Sequence, residues 1–108
     1  PVAFDKGVSI NEKSTIGPYA ILGENVKVGK NVLISNSVVF SHAFIGDFSV
    51  VDGAIIGEGA RIGKQVTLSN GCIIGDHARV KDNSHLSEAS SVCPAKEVAE
   101  NIIKPKVN

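Results

Sequence analysis

Large apolar side chains recur along this chain at intervals of six residues, interrupted by two intervals of five. A hexapeptide period of this kind predicts a parallel β-helix, in which very short strands stack into a coil. With three hexads per turn, the 108 residues form about five coils. The column of large residues comprises Phe4, Ile10, Ile16, Leu22, Val28, Ile34, Phe40, Ile45, Val51, Ile56, Ile62, Leu68, Ile74, Val80, Leu86 and Val92.

A second column supports the same register, because the residue two positions before each large one also points inward if the strands alternate. Every member of this column is small or β-branched. The short intervals, Phe40 to Ile45 and Val51 to Ile56, preserve it if the missing residue is a corner residue. The column comprises Val8, Ser14, Ala20, Val26, Val32, Val38, Ala43, Ser49, Ala54, Ala60, Val66, Cys72, Ala78, Ser84 and Ser90.

Corner residues of the predicted coil belong to types that tolerate a positive φ. Glycine often follows the large residue, and in several hexads the position two further on is Asn, Gly or His. The repeat therefore specifies a backbone conformation as well as a core. These corner positions are Asn25, Asn31, Gly59, Gly71, His77 and Asn83.

The composition narrows the possible partners. Lys and Arg total 11, and so do Asp and Glu, so the net charge is zero, which argues against a general nucleic-acid binder. No apolar run is long enough to span a membrane and no export signal is visible, so we expect a soluble, cytoplasmic protein. Cys72 is expected to face inward and Cys93 outward, both as reduced thiols without metal-binding spacing.

The end of the repeat divides the chain into two segments. Residues 1–93 form the predicted β-helix, and residues 94–108 form a short C-terminal tail that we expect to cap the last coil, which otherwise exposes unpaired strand edges. Pro94 fits the first turn of a short helix in this tail. An extended segment that folds back fits the sequence equally well.

Four segments carry a more specific signal: IGPYAILGENV (16–26), SVVFSHAFIGD (37–47), GAIIGEGARIG (53–63) and VCPAKEV (92–98). They resemble the C-terminal domain of sugar-1-phosphate nucleotidylyltransferases, especially the mannose-1-phosphate guanylyltransferases. The two short intervals and the Pro-x-Lys-Glu-Val ending strengthen this resemblance, which covers essentially the whole chain. It implies an all-β fold with a left-handed coil, a hand that the period alone does not establish.

The resemblance also implies what this chain lacks. In that family the nucleotide and sugar phosphate bind an N-terminal α/β domain with a Gly-rich phosphate loop, which has no match here. The parent enzyme joins a nucleoside triphosphate and a sugar 1-phosphate into a nucleotide sugar and pyrophosphate, with Mg²⁺ in that missing domain. We therefore expect no catalytic residue, cofactor or metal in this segment, and a role in oligomerisation or regulation.

The residue before each large one is predicted to point outward. One outward column contains Ile21, Val39, Ile55 and Ile73, followed by Ser91. A ladder of exposed aliphatic side chains exceeds the scattered apolar residues of an ordinary surface. We expect it to pack against another copy of the chain or the N-terminal catalytic domain. The alternative is that β-branched residues simply suit strands.

A second outward column carries Lys27, Arg61 and Arg79, together with Ser9 and Phe44. It suits an anion such as the phosphates of coenzyme A or of an effector, although charged residues on a solvated face need no ligand. The third outward column comprises Thr15, Leu33, Val50, Thr67 and His85.

Two alternative functions follow from the hexapeptide fold: an acyltransferase that uses a coenzyme A thioester, and a scaffold without chemistry. An acyltransferase requires a general base. His42, at a shortened corner, is the first candidate, ahead of the corner residue His77 and the strand residue His85. No gap between hexads is long enough for the loop that usually walls the acceptor site. The β-helical domain of translation-initiation exchange-factor subunits is a further relative, and the scattered histidines predict no metal site.

Overall fold

A computed structural model describes residues 1–98 and 106–107, and every regular element within them is a short β-strand. The strands form three parallel sheets. The first sheet contains β1 (Val2–Phe4), β4 (Ala20–Leu22), β7 (Ser37–Val39), β10 (Ile55–Ile56), β13 (Ile73–Ile74), β16 (Ser91–Val92) and β18 (Lys106–Val107). The second contains β2 (Ser9–Ile10), β5 (Lys27–Val28), β8 (Phe44–Ile45), β11 (Arg61–Ile62), β14 (Arg79–Val80) and β17 (Glu97–Val98). The third contains β3 (Thr15–Ile16), β6 (Leu33–Ser35), β9 (Val50–Asp52), β12 (Thr67–Leu68) and β15 (His85–Leu86).

Each strand inside a sheet pairs with the strand one coil before it and the strand one coil after it. Ile62, for example, pairs with Ile45 of the preceding coil and Val80 of the following coil. The chain visits the three sheets in turn and completes about five turns. The predicted fold, an all-β left-handed parallel β-helix of hexapeptide repeats, is confirmed.

The inward column of large residues forms the core. Ile34, Ile45 and Ile62 are completely buried, and burying such a side chain contributes about 1.5–3 kcal/mol. Phe4 has the same register but is 51% exposed, because the first coil has a neighbour on one side only among the described residues. The large inward side chains are therefore buried from the second coil onward, beginning with Leu22.

The register differs from the prediction at one place. Val39 is buried and pairs with Leu22 and Ile56, whereas Phe40 is 50% exposed. The short interval therefore runs from Ile34 to Val39, not from Phe40 to Ile45. Spacing alone misplaced it because Phe40 is the larger of two adjacent apolar residues.

The neighbours of Val39 show what fixes this register. Asn36 has a φ of 51° and closes the shortened corner, as Gly53 does with a φ of 74° in the other short interval. Ser37, not Val38, then occupies the small inward position and is buried. Val38 points outward, in register with Ile55.

The predicted corner residues all have a positive φ: Asn25, Asn31, Gly59, Gly71, His77 and Asn83. Most glycines that follow the large residue do not, and close packing explains them instead. A Cβ on Gly46 would lie 2.6 Å from the carbonyl carbon of Gly63 on the next coil, and one on Gly75 would lie 2.5 Å from the nitrogen of Pro94. Any side chain there would push adjacent coils apart.

Ser14 and Ser49 are serines of the small inward column that bond the backbone of the next coil. The Ser49 hydroxyl donates to the carbonyl of Gly63 at 2.7 Å and accepts from the amide of Val66 at 3.1 Å. Ser14 makes the equivalent pair of bonds with Gly29 and Val32. These polar side chains are therefore accommodated in the core because each one satisfies two backbone groups.

The repeat continues past the boundary predicted at residue 93. Glu97 and Val98 form a strand in register with Arg79 and Val80, and Val98 is buried. Ala95 takes the corner conformation with a φ of 61°, so residues 94–98 complete a further hexad instead of starting a helix. The rest of the predicted tail lies outside the described residues apart from 106–107, and its capping role stays a prediction.

Candidate functional site

The first sheet presents a row of aliphatic side chains to solvent. Ile21, Val38, Ile55 and Ile73 lie in register on successive coils. The three isoleucines are 55%, 44% and 49% exposed, respectively, and Val38 is half-buried. We call these four residues the aliphatic face. Ser91 continues the row on the next coil.

Three of the four predicted interface residues, Ile21, Ile55 and Ile73, belong to this face. The fourth, Val39, does not: it lies in the core with 1% of its surface exposed. The corrected register puts Val38 in its place. The outward row is therefore continuous, as predicted, but it contains Val38 in place of Val39.

Apolar depressions flank the aliphatic face on both sides. One, of about 470 Å³, is lined by Tyr19, Ile21 and Val38 among others. The other, of about 410 Å³, is lined by Phe40, Ile55 and further residues toward Pro94. Tyr19 and Phe40 are 58% and 50% exposed. These aromatic rings extend the apolar surface beyond the strands, and such contiguous patches mark interaction sites.

The second sheet presents a contrasting face. Lys27, Phe44, Arg61 and Arg79 lie in register on successive coils, and we call them the basic face. The Arg61 guanidinium carbon lies 5.2 Å from the centroid of the Phe44 ring, a cation–π contact. Beside these residues is an open depression of about 580 Å³.

His42 lies at a corner beside the basic face. Its φ is 64°, and the interval from Val39 to Ile45 is a full hexad, so its corner is an ordinary one and not a shortened one as predicted. Its ring borders a depression with Lys27 and Arg61. Among the described residues the ring has no hydrogen-bond partner, so no group orients it for proton transfer.

The other histidines do not join His42 in a site. His77 occupies the same corner column two coils later, and its ring lies over Gly59, where a Cβ would meet Nδ1 at 2.5 Å. His85 is exposed on the third sheet, in register with Thr67. No group of three or more His, Cys, Asp or Glu residues is placed to hold a metal ion in residues 1–98.

Cys72 is a structural residue. It is buried in the inward column, as predicted, and its thiol donates to the carbonyl of Ser87 at 3.1 Å. Burial raises the pKa of this thiol above its ordinary value of 9.0, which disfavours the nucleophilic thiolate. Cys93 is half-buried after β16. The part of the chain that is described contains no helix able to cross a membrane.

Three parallel sheets of very short strands, wound by a six-residue repeat, define a hexapeptide-repeat β-helix protein. Over residues 1–108 the chain matches the family described as the GMPPB C-terminal domain, and it belongs to that family. The predicted resemblance to the C-terminal domain of sugar-1-phosphate nucleotidylyltransferases is thereby confirmed. Among curated proteins, none is similar to the chain in sequence.

Solved structures share the fold at low sequence identity. The acetyltransferase domain of PglB from Neisseria gonorrhoeae, in complex with acetyl coenzyme A, is 20% identical with a TM-score of 0.87; the match covers 94% of this chain and 51% of that one. PerB from Caulobacter crescentus, in complex with coenzyme A and GDP-perosamine, is 23% identical with a TM-score of 0.52, covering 88% and 50%. The chain thus spans about half the length of these proteins, and the likeness concerns the fold.

Proposed function

We propose that this chain is the oligomerisation and regulatory module of a sugar-1-phosphate nucleotidylyltransferase. Membership of the GMPPB C-terminal domain family over residues 1–108 supports this assignment. The parent enzyme would be cytoplasmic and would form a nucleotide sugar and pyrophosphate in a separate catalytic domain that holds Mg²⁺. On this proposal the β-helix itself binds no metal and catalyses no reaction.

The aliphatic face is the observation that carries the assembly role. Ile21, Ile55 and Ile73 are about half exposed, and a row of such residues loses apolar surface to water only when another surface covers it. The four positions of the face carry no charge, so a partner needs no matching charges. A row of similar side chains is also complementary to itself when turned by a two-fold axis. We therefore assign the face to a second copy of this chain.

The test is the mass of the chain in solution. Lysines at two adjacent coils, in the double variant Ile55→Lys and Ile73→Lys, would bury charge in the interface and should convert a dimer into a monomer. The double variant Thr67→Lys and His85→Lys is the matched control, because it also places two lysines on adjacent coils, but on the third sheet. Sedimentation equilibrium should give a dimer for the wild type and the control, and a monomer for the isoleucine double variant.

Two results would contradict this assignment. An isoleucine double variant that keeps the mass of the wild type would place the interface elsewhere. A wild type that is monomeric at high concentration would leave the face to the catalytic domain of the parent enzyme, the other partner that the sequence predicts.

Within residues 1–98, no specific feature favours acyl transfer. The acetyltransferase structures are 20% and 23% identical to this chain in sequence. Similarity at that level supports a shared fold and not a shared activity. His42 has no orienting partner among the described residues, and the hexads of residues 1–98 follow one another without an extruded loop. A scaffold without an associated enzyme would also use the aliphatic face, but it does not explain the family membership.

A further inference from the structure

The basic face holds two positive charges side by side, and Glu97 lies in register with Arg79 on the following coil. Arg61 and Arg79 are paired residues on neighbouring strands, and both are exposed. Neighbouring strands lie about 4.8 Å apart, and like charges directly opposite each other are destabilising. Among the described residues, no carboxylate lies within ion-pair distance of either guanidinium. The fold therefore maintains a local concentration of positive charge in a chain whose net charge is zero.

Phe44 fixes the position of one of these charges. Its ring is half-buried, and the Arg61 guanidinium carbon lies 5.2 Å from the ring centroid. Stacking of this kind holds the guanidinium against the surface while its N–H groups stay available. A ligand that binds Arg61 consequently costs less side-chain entropy than one that must order a free arginine.

The depression beside these residues has room for a small molecule. Its volume is about 580 Å³, and its lining includes Phe44, Arg61, Arg79, Lys81 and Glu97. Ligand pockets commonly occupy about 300–1,000 Å³. Lys81 adds a third positive charge. Its ammonium lies 3.7 Å from the Glu97 carboxylate, with the two side chains 57% and 47% exposed, and so exposed a pair is weak enough for Lys81 to turn to a ligand.

We propose that this depression binds a pyrophosphate group, either free or carried by a nucleoside diphosphate or a nucleotide sugar. Arginine presents a planar fork of donors that matches phosphate oxygens. Two guanidiniums on adjacent coils suit two linked phosphoryl groups, and Lys81 supplies a further charge at the edge. This binding site goes beyond the assembly role proposed above and does not depend on it, because it uses a different face of the prism.

Isothermal titration of the 108-residue chain with sodium pyrophosphate at fixed ionic strength tests the site. Arg61→Gln and Arg79→Gln should each raise the Kd about tenfold by removing a charged donor. Lys13→Gln is the matched control: it removes one positive charge at a distant corner, and Gln65 already occupies an equivalent corner with a φ of 56°. The control should bind pyrophosphate like the wild type.

Glu97→Gln gives a test in the opposite direction. Removing the one carboxylate that lines the depression should lower the Kd about threefold, because it removes repulsion of the anion. A parallel titration with ADP and GDP separates the sources of the ligand. Tighter binding of pyrophosphate than of both nucleotides assigns the site to free pyrophosphate, and tighter binding of either nucleotide assigns it to a nucleoside diphosphate. Equal affinity for all three would show that the site recognises the shared diphosphate group alone.

Specific results would overturn the proposal. The first is no saturable binding of pyrophosphate, ADP or GDP by the wild type at millimolar concentration. The second is an equal effect of Arg61→Gln, Arg79→Gln and Lys13→Gln, which would show only a general response to charge. Circular dichroism of each variant establishes that the coil is intact, so neither result is attributable to unfolding.

Discussion

Val39 lies directly against Ile56 of the next coil, and both side chains are buried with 1% or less of their surface exposed. The preceding residue, Val38, pairs with Ile55 on the opposite side of the same strands and is half-buried. One peptide bond thus separates a core position from a position on the aliphatic face. This register determines which residues form the aliphatic face.

Aspartate substitutions at these two positions test the register. Val39→Asp would bury an unpaired carboxylate beside Ile56 and should lower the free energy of unfolding by more than about 4 kcal/mol, or prevent folding. At a concentration low enough to keep the chain monomeric, Val38→Asp should change it by less than about 1 kcal/mol, because the side chain then points to solvent. Urea denaturation followed by circular dichroism measures both. A more damaging Val38→Asp would reverse the register at this coil.

Gly46 should not tolerate even one extra carbon. A Cβ at this position would lie 2.6 Å from the backbone of Gly63, which cannot move without disturbing the sheet pairing of the next coil. Gly46→Ala should therefore destabilise the protein by about 1–3 kcal/mol. Lys64→Ala, an exposed substitution next to Gly63, is the control and should have little effect. Equal urea midpoints for the two variants would mean that adjacent coils are less closely packed than described.

The buried thiol of Cys72 makes stability depend on pH under alkaline conditions. Because burial raises the pKa of the folded-state thiol above 9.0, the unfolded chain loses its proton first as the pH rises. The contribution of Cys72 is therefore complete below pH 9 and is lost as the pH rises toward the folded-state pKa. Cys72→Ala, which matches the alanines found elsewhere in this column, should remove that part of the pH dependence.

Urea titrations of the wild type and Cys72→Ala at pH 7 and pH 10 measure this difference. The wild type should lose more stability than the variant between the two pH values. Equal losses would show that the Cys72 thiol ionises as readily in the folded chain as in the unfolded one.

Most of the fold is predictable from sequence because each coil imposes the same size limits on its inward positions. Ile62 fits the large inward position and Ala60 the small one, and no neighbouring residue fits either position as well. Both are fully buried. Among the described residues, the predicted register was wrong at Val38, Val39 and Phe40, where the short interval fits the spacing either before Val39 or after Phe40. The positive φ of Asn36 places the short corner before Val39. The sequence shows that Asn36 tolerates a positive φ, but this property alone does not identify the short corner.

The candidate surfaces were predictable in part. The outward columns follow from the register. The residues predicted for the basic face were therefore correct, and those predicted for the aliphatic face were correct at three of four positions. The flanking ring of Tyr19 has no counterpart in the repeat, and Phe40 was wrongly predicted to face inward. The contact between Arg61 and Phe44 depends on side-chain rotamers. The six-residue period indicates only whether a residue points inward or outward. It does not specify the side-chain conformations on which these features depend.

The central claim is that this β-helix serves a nucleotidylyltransferase whose catalytic domain lies elsewhere in the same polypeptide. The most direct test is the mass of the native gene product in its own cells, detected through a peptide of this chain. We predict a polypeptide several times larger than 11.3 kDa, with room for a separate catalytic domain. A native product of 11.3 kDa would contradict the claim and leave a self-contained β-helix.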